Sequence, residues 1–140
     1  MMTDPVNTFM LRFVQFINTA DEKLGEELIA PNAEFFVPYQ SEPLIGPPGW
    51  LAAIEVMRGG FPDIQWRLEE LIFEGEKIAA RYTMRGTHEG AFFGVPATGR
   101  QITVQTMNFY DMANGKIVGE RGQPDLLGLL QQIGAVPAPG

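Results

Sequence analysis

The sequence predicts a single α+β domain, and two patterns along the chain support that prediction. Before residue 61, apolar side chains recur every three or four positions, which is the spacing of amphipathic helices. From residue 61 onward they alternate with polar side chains, as in strands with one buried face. Helices and strands segregated in this way are typical of the α+β class. A length of 140 residues suits one domain, so we expect residues 1–140 to form it, with flexible tails at about 1–5 and 135–140.

The first helix is predicted to begin at Asp4 and Pro5, because aspartate is a favoured N-cap and proline is favoured in the first turn. It ends within residues 18–21. Its apolar face consists of Val6, Phe9, Met10, Phe13, Phe16 and Ile17. A short second helix is expected over residues 22–29 and ends before Pro31, since proline disrupts a helix interior.

A short aromatic strand is predicted at residues 33–38, and it precedes a loop at 39–49 that holds three prolines and two glycines. A third helix begins at Pro47-Pro48 and has Trp50 on its apolar face. It ends at Gly59-Gly60, because glycine commonly terminates helices.

Four antiparallel strands follow the third helix. A turn at 74–76 joins the first two, a glycine-rich segment at 86–99 leads to the third, and Asn114-Gly115 is a strong signal for a hairpin between the last two. A final apolar helix is predicted over residues 125–133, with Gly134 after its end. The strands are expected at about 64–72, 78–85, 101–112 and 116–120.

The composition excludes several classes of function. The chain carries 17 acidic and 10 basic residues, a net charge of −7, and its basic residues are scattered singly. It therefore lacks the basic surface that binds nucleic acid or an anionic membrane. The absence of cysteine rules out disulfides and thiolate ligands, and a single histidine argues against a histidine-rich metal site. We expect a cytoplasmic protein that binds neither nucleic acid, membrane nor metal.

Four stretches of the second half resemble the SnoaL-like polyketide cyclases, a family of the nuclear-transport-factor-2-like superfamily. The motifs are GTHxG, PxTGR, NGKIV and DxLGLLQQIG, and they lie within residues 81–90, 93–100, 114–118 and 125–137. The order of helices and strands agrees with the same family over the whole chain. The resemblance implies a strongly curved antiparallel sheet, wrapped into a cone and closed by the N-terminal helices, with a small-molecule pocket inside.

The resemblance also implies a reaction. The cyclases of this family close a polyketide ring by intramolecular aldol condensation and use no metal or organic cofactor, so it implies a cofactor-free cyclase or isomerase that acts on a small apolar carbonyl compound. An aspartate at the start of the C-terminal helix is the family's acid/base, and Asp125 matches it. The family often carries tryptophan where this chain has Arg121, and an aspartate and an arginine where this chain has Asn108 and Asp111 around Tyr110.

Three residues are candidates for catalysis. Asp125 precedes the apolar run LLGLL, and apolar surroundings raise the pKa of a carboxyl group toward the value that an acid/base needs. Aspartate is also a favoured N-cap for the helix that it opens. His88 continues the buried face of its strand, where it either polarises a carbonyl or packs with a backbone partner. Arg121 is expected at the pocket mouth, paired with Asp125 or an anionic substrate group; the alternative is a surface arginine.

Aromatic residues are numerous, and they form both protein cores and ligand cavities. Phe93 lies beside Phe92 in a glycine-rich segment, where it is either a lid or a subunit contact. Gln105 and Asn108 face opposite sides of one strand, and the resemblance favours Asn108 for the pocket. The predicted substrate-binding residues are Tyr39, Trp50, Phe61, Tyr82, Met84, Phe93 and Asn108.

Two other functions remain open at this stage. One is an epoxide hydrolase like limonene epoxide hydrolase, in which an Asp–Arg–Asp group activates water; Asp125, Arg121 and Asp111 supply the residue types. The other is a non-catalytic domain that binds a small ligand. The outward face of the sheet, which includes Arg81 and Arg85, is polar and suits either solvent or a second sheet. We expect a homodimer.

Overall fold

The structure is a computed structural model that describes residues 5–139. The predicted N-cap Asp4 lies outside the described residues. Four helices and six strands follow one another, and the predicted α+β class is confirmed. They are α1 (Pro5–Thr19), α2 (Glu22–Leu28), β1 (Ile29–Phe36), β2 (Leu44–Ile45), α3 (Gly46–Gly60), β3 (Gln65–Glu74), β4 (Lys77–Thr87), β5 (Gln101–Ala113), β6 (Lys116–Pro124) and α4 (Leu126–Gln132).

The six strands form one curved, unclosed sheet in the order β2-β1-β6-β5-β4-β3. Strands β3 to β6 are antiparallel neighbours, as the alternating pattern predicts, whereas β1 runs parallel to β6. The register shifts within the pairs β3–β4, β5–β6 and β1–β6. Such bulges bend a sheet and increase its twist, and the sheet has the concave face that the family resemblance implies.

Helix α1 covers the concave face of the sheet. Met10, Phe13 and Phe16 are buried on the helix side. Phe13 meets the ring of Tyr110 edge-on, with 5.3 Å between the ring centroids. A second cluster fills the other end of the fold, under α4 and the segment between β4 and β5. Its buried members are Phe61, Ile64, Met84, Phe92, Ile102, Val104, Leu129 and Ile133.

Strands β1 and β6 differ most from their predicted bounds. Strand β1 begins at Ile29 rather than at 33, and β6 continues to Pro124 rather than ending at 120. Residues 121–124 are Arg-Gly-Gln-Pro, a run of low strand propensity. Pairing with residues 106–109 of β5 nevertheless extends the strand, because partner strands outweigh local preference in a sheet.

Within the predicted tails, Pro5 belongs to α1, and the N–H groups of Ala135 and Val136 donate to the carbonyl oxygen of Leu130 at 2.8 and 3.4 Å. The flexibility of the tails stays a prediction. Of the helices within the described residues, none has the length and apolarity needed to cross a membrane.

Candidate active site

A cavity of about 110 Å³ lies between the concave face of the sheet, α1 and α3. Its walls are mostly aromatic and aliphatic, and a few polar groups from β5 and β6 interrupt them. The lining residues are Phe13, Ile17, Phe35, Val37, Pro38, Tyr39, Trp50, Ala53, Ile54, Met57, Trp66, Tyr82, Met84, Phe92, Phe93, Thr106, Asn108, Tyr110, Glu120, Gly122, Pro124 and Leu126.

Glu120 brings a carboxyl group into this apolar cavity, and only 3 % of the residue is exposed. It lies on β6 directly across from Tyr110 of β5, so both side chains point to the concave face. Trp50 Nε1 of α3 donates to Oε1 at 2.7 Å, and Asn108 Nδ2 donates to Oε2 at 2.5 Å. The carboxyl group is therefore fixed from a helix and from the neighbouring strand.

Opposing effects set the pKa of Glu120. Burial raises it, because the charged form loses its hydration, while hydrogen bonds from Trp50, Asn108 and Tyr110 lower it by stabilising that form. Burial prevails and raises the pKa from 4.5 to about 7. Across residues 5–139, no lysine or arginine forms a salt bridge with this carboxyl group. Glu120 is thus able to accept and return a proton near neutral pH.

Two tyrosine hydroxyls continue this network along the cavity wall. Tyr110 lies directly across from Glu120 on the neighbouring strand, and its hydroxyl lies 2.8 Å from that of Tyr82. Both side chains are buried, and burial raises the pKa of each well above its usual value. Both hydroxyls therefore keep their protons at neutral pH, where they act as donors and acceptors of hydrogen bonds.

Tyr39 and Phe93 contact each other at the mouth of the cavity, with 5.4 Å between their ring centroids. Phe93 has a φ of 46° and Gly94 a φ of 80°, so the chain turns sharply there. Sites for drug-sized compounds measure roughly 300–1,000 Å³, which exceeds this cavity.

Asp125 lies outside the set of residues that line the cavity. It is exposed, and its Oδ1 accepts from the backbone N–H of Gly128 at 2.8 Å, so it is the N-cap of α4. This capping role is the alternative that the sequence left open. Its role as an acid/base stays a prediction, and its surroundings lack the apolar wall on which that prediction depended.

Arg121 and His88 also lie outside the cavity lining. Arg121 faces the convex side of the sheet, where its guanidinium is 4.4 Å from the centroid of the Phe36 ring and 3.9 Å from Asp111 Oδ2. The expected position at the pocket mouth and the pairing with Asp125 are therefore wrong. This ion pair is largely exposed, so it contributes little stability.

His88 is fully buried beside Phe61, with 5.3 Å between the ring centroids. Its Nδ1 accepts from the backbone N–H of Thr98 at 3.2 Å and lies 2.9 Å from the Thr98 hydroxyl. The neutral ring therefore carries its proton on Nε2, for which the described residues provide no hydrogen-bond partner. His88 holds the segment between β4 and β5 in place, which is the packing alternative named above.

The Asp–Arg–Asp arrangement of an epoxide hydrolase is not assembled. The backbone N–H of Asp125 donates to the carbonyl oxygen of Gln105 at 2.9 Å, whereas Asp111 lies six positions further along β5. At about 3.4 Å per residue, about 20 Å separate the two positions. A single water molecule cannot contact both carboxylates.

Six of the seven predicted substrate-binding residues line the cavity. They are Tyr39, Trp50, Tyr82, Met84, Phe93 and Asn108. Phe61 lies instead in the second apolar cluster, behind Phe92. Their contact with a substrate stays a prediction. Within the described part of the chain, no three His, Cys, Asp or Glu side chains are grouped as a metal site requires.

Glu120 is the residue that the sequence reasoning missed. The strongest sequence signal was the Asn114-Gly115 turn, from which pairing can be counted along the hairpin. If the pairing of Met112 with Ile117 continued along the hairpin without a shift, Glu120 would lie opposite Phe109, whose side chain is on the convex face. The register shift after Met112 pairs Glu120 with Tyr110 and turns it inward.

The comparisons with known proteins agree with this fold. The model of the family described as SnoaL-like polyketide cyclase matches residues 7–133. Aklanonic acid methyl ester cyclase DnrD from Streptomyces peucetius is 33 % identical over 93 residues, which are 65 % of this chain. The match spans 63 % of that relative's length.

Two solved structures from streptomycetes are similar over nearly the whole chain. TsrD from Streptomyces laurentii is 28 % identical with a TM-score of 0.82, and the match covers 96 % of this chain and 100 % of TsrD. IdmH from Streptomyces antibioticus has the same identity and TM-score, with 94 % and 99 % covered. The similarity thus includes the concave sheet that forms the cavity.

Proposed function

Because this chain belongs to the SnoaL-like polyketide cyclase family, we propose that it closes a ring in a small apolar carbonyl compound by intramolecular aldol condensation, with Glu120 as the acid/base. The observation that carries the proposal is one buried carboxyl group in an apolar cavity, with its pKa raised to about 7. A carboxyl group of ordinary pKa would be too weak a base at neutral pH.

The proposed reaction has two proton transfers. The ionised carboxyl group of Glu120 removes a proton from the carbon next to a carbonyl, and the resulting enolate attacks a second carbonyl of the same molecule. This attack forms a carbon–carbon bond and leaves an alkoxide. The proton that Glu120 took is then transferred to the alkoxide oxygen. The substrate is therefore isomerised, with no atom gained or lost.

The residues around Glu120 hold it in position during these steps. Hydrogen bonds from Trp50 and Asn108 fix both oxygens of the carboxyl group, which keeps it aimed at the substrate and limits the cost of orienting it. Gly122 lies on the same face of β6 and also lines the cavity. A Cβ at this position would lie 3.2 Å from Asn108 Nδ2, so glycine leaves room for the Asn108 side chain that holds Glu120.

The test is the variant Glu120→Gln, which keeps the size of the side chain but cannot take a proton. Its amide oxygen can accept from Trp50 Nε1, and its amide nitrogen can donate to Asn108 once the Asn108 amide turns its oxygen inward. We expect kcat with aklanonic acid methyl ester, the compound named for a relative, to fall by roughly 10²–10⁴-fold, the usual contribution of an acid/base. Unchanged turnover in this variant would contradict the proposal.

Asp125→Asn is the matched comparison, because it makes the same chemical change in the carboxyl group that caps α4. Asparagine is as good an N-cap as aspartate, so we expect both stability and activity to be kept. If Asp125→Asn loses turnover while Glu120→Gln retains it, the acid/base is Asp125, as the family resemblance implies.

A binding domain without catalysis is the second candidate, and one observation favours it. Both carboxyl oxygens of Glu120 already accept hydrogen bonds from protein groups, which is how a purely structural buried carboxyl group would be arranged. Such a protein would bind the same ester, detected as a rise in Tm, and would leave it unchanged after prolonged incubation.

A further inference from the structure

When Glu120 is protonated, its neighbours in the described part of the chain leave only one protein group to which the carboxyl group can pass the proton. Trp50 Nε1 donates to Oε1, and an indole N–H cannot accept. Asn108 Nδ2 donates to Oε2, and Asn108 Oδ1 already accepts from the Thr106 hydroxyl at 2.6 Å. The Tyr110 hydroxyl is the remaining neighbour, because Tyr110 lies directly across from Glu120 and lines the same cavity, and a hydroxyl both donates and accepts.

The direction of the two tyrosine hydroxyls depends on the charge of Glu120. An ionised carboxyl group only accepts, so Tyr110 then donates to Glu120 and Tyr82 donates to Tyr110 across 2.8 Å. When Glu120 is protonated, it must donate to Tyr110, and Tyr110 must donate to Tyr82. Within residues 5–139 the Tyr82 hydroxyl has no other partner, so its proton then points toward the cavity that Tyr82 lines.

We propose that Tyr110 and Tyr82 form a proton relay that carries the substrate proton from Glu120 to the alkoxide of the new ring. The inference rests on the proposed function of Glu120. Three transfers occur together: from the Glu120 carboxyl group to the Tyr110 oxygen, from Tyr110 to the Tyr82 oxygen, and from Tyr82 to the alkoxide. Glu120 returns to its ionised form, each tyrosine ends with one proton, and no further reactant is required.

The relay solves a problem of geometry in the aldol reaction. The carbon that loses a proton and the oxygen that gains one belong to different carbonyl groups of the substrate, and one fixed carboxyl group has difficulty reaching both. Glu120 is held by two strong hydrogen bonds and cannot swing between them. A chain of two phenols extends its reach along the concave face of the sheet, and burial keeps both phenols protonated between transfers.

The experiment separates proton removal from ring closure. Wild type and variants are incubated with aklanonic acid methyl ester in D₂O, and mass spectrometry measures deuterium in the recovered substrate and the amount of cyclised product. In Tyr82→Phe we expect deuterium exchange to continue, while kcat for cyclisation falls about 100-fold and KM is unchanged. Glu120→Gln should lose both exchange and cyclisation.

Thr83→Val is the control for Tyr82→Phe, because it also removes one hydroxyl from β4. The Thr83 hydroxyl lies on the opposite face of the sheet, where it donates to Glu69 at 2.6 Å. We expect this variant to match wild type in exchange and in cyclisation. If Tyr82→Phe fails to fold, as judged by circular dichroism, Tyr110→Phe is tested with the same expectations.

Cyclisation at the wild-type rate in Tyr82→Phe would overturn the relay while leaving Glu120 as the acid/base, provided that Glu120→Gln is inactive. Loss of exchange together with cyclisation in Tyr82→Phe would also overturn it. Full activity of Glu120→Gln would instead refute the proposed function, and the relay with it.

A second measurement needs no substrate. Infrared difference spectra between acidic and alkaline pH should show a carboxyl band, absent in Glu120→Gln, together with a change in tyrosine C–O bands as the hydroxyl chain reverses. Tyr110→Phe should remove the tyrosine change. A wild-type spectrum in which the carboxyl band appears without any tyrosine change would overturn the relay.

Discussion

Glu120 is a carboxyl group whose protonation state changes close to neutral pH, and this property belongs to its surroundings. Removal from water favours the neutral form, and three hydrogen-bond donors favour the charged form. The balance leaves a pKa of about 7. A residue with such a pKa in a cavity is a candidate for acid/base chemistry on physical grounds.

The proposed role of Glu120 predicts a pH dependence of the reaction. As a base the carboxyl group must be ionised, so kcat/KM should rise about tenfold per pH unit below about 7 and level off above it. Initial rates measured from pH 5 to 9 would check this. A profile that levels off near pH 4, the range of an unperturbed carboxyl group, would contradict Glu120 as the base.

The raised pKa of Glu120 also predicts a pH dependence of stability. The folded protein holds this proton between pH 4.5 and about 7, whereas the unfolded chain releases it, so the free energy of unfolding should fall as pH rises through that window. A shift of this size corresponds to about 3 kcal/mol. Urea unfolding of wild type and Glu120→Gln at several pH values would show it, because the variant lacks this component. Parallel curves for the two proteins would contradict the prediction.

At the scale of single elements, the segment between β4 and β5 is held by its own hydrogen bonds. The backbone N–H of His88 donates to Arg100 O and the N–H of Gly99 donates to His88 O, each at 2.8 Å. The imidazole adds an acceptor for Thr98 from inside the turn. Phe92 and Phe93 of this segment line the cavity, so its order determines the shape of the mouth.

His88→Leu should destabilise this segment, because the N–H of Thr98 loses its acceptor. Thr98 is exposed, so the expected loss is that of one net hydrogen bond, about 0.5–1.5 kcal/mol, which should appear as a lower free energy of unfolding and faster amide exchange over residues 88–100. His88→Asn is the matched variant, since its Oδ1 can occupy the position of Nδ1 and accept from Thr98. Equal exchange rates in both variants would show that the acceptor does not hold the segment.

At the scale of the whole molecule, the convex face of the sheet remains open. Met107 and Phe109 of β5 are 59 % and 65 % exposed there, beside polar side chains of β4 and β6. Neighbouring apolar side chains on a sheet face are common at subunit contacts. The homodimer expected from the sequence stays a prediction, and this face is where we expect the second copy to pack.

Phe109→Glu tests that contact. A charge at the centre of a paired sheet face would be buried without a partner, so the variant should sediment as a monomer under conditions where wild type sediments as a dimer. The cavity lies on the other face of the sheet, so Glu120 and its hydrogen bonds should be unaffected. A wild type that is monomeric at all concentrations would contradict the expected homodimer.

Much of the fold was determined by the sequence alone. The spacing of apolar residues located α1 and α3, the Asn-Gly pair located the last hairpin, and the GTHxG and LGLLQQIG motifs indicated the family. These signals are readable because they depend on neighbours along the chain: helix periodicity, turn conformation and caps are local. Asn114 and Gly115 indeed have φ values of 52° and 76°, as the turn requires.

The identity of the buried carboxyl group was decided only by the tertiary structure. Asp125 and Glu120 are five residues apart, and local sequence favours Asp125, which precedes an apolar run. Pairing with β5 extends β6 beyond its local preference, and one register shift after Met112 turns Glu120 from the convex to the concave face. Successive strand residues point to opposite faces, so a register shift of one residue moves a side chain from the convex to the concave face. The register depends on pairing with another strand, and no local sequence pattern predicts it.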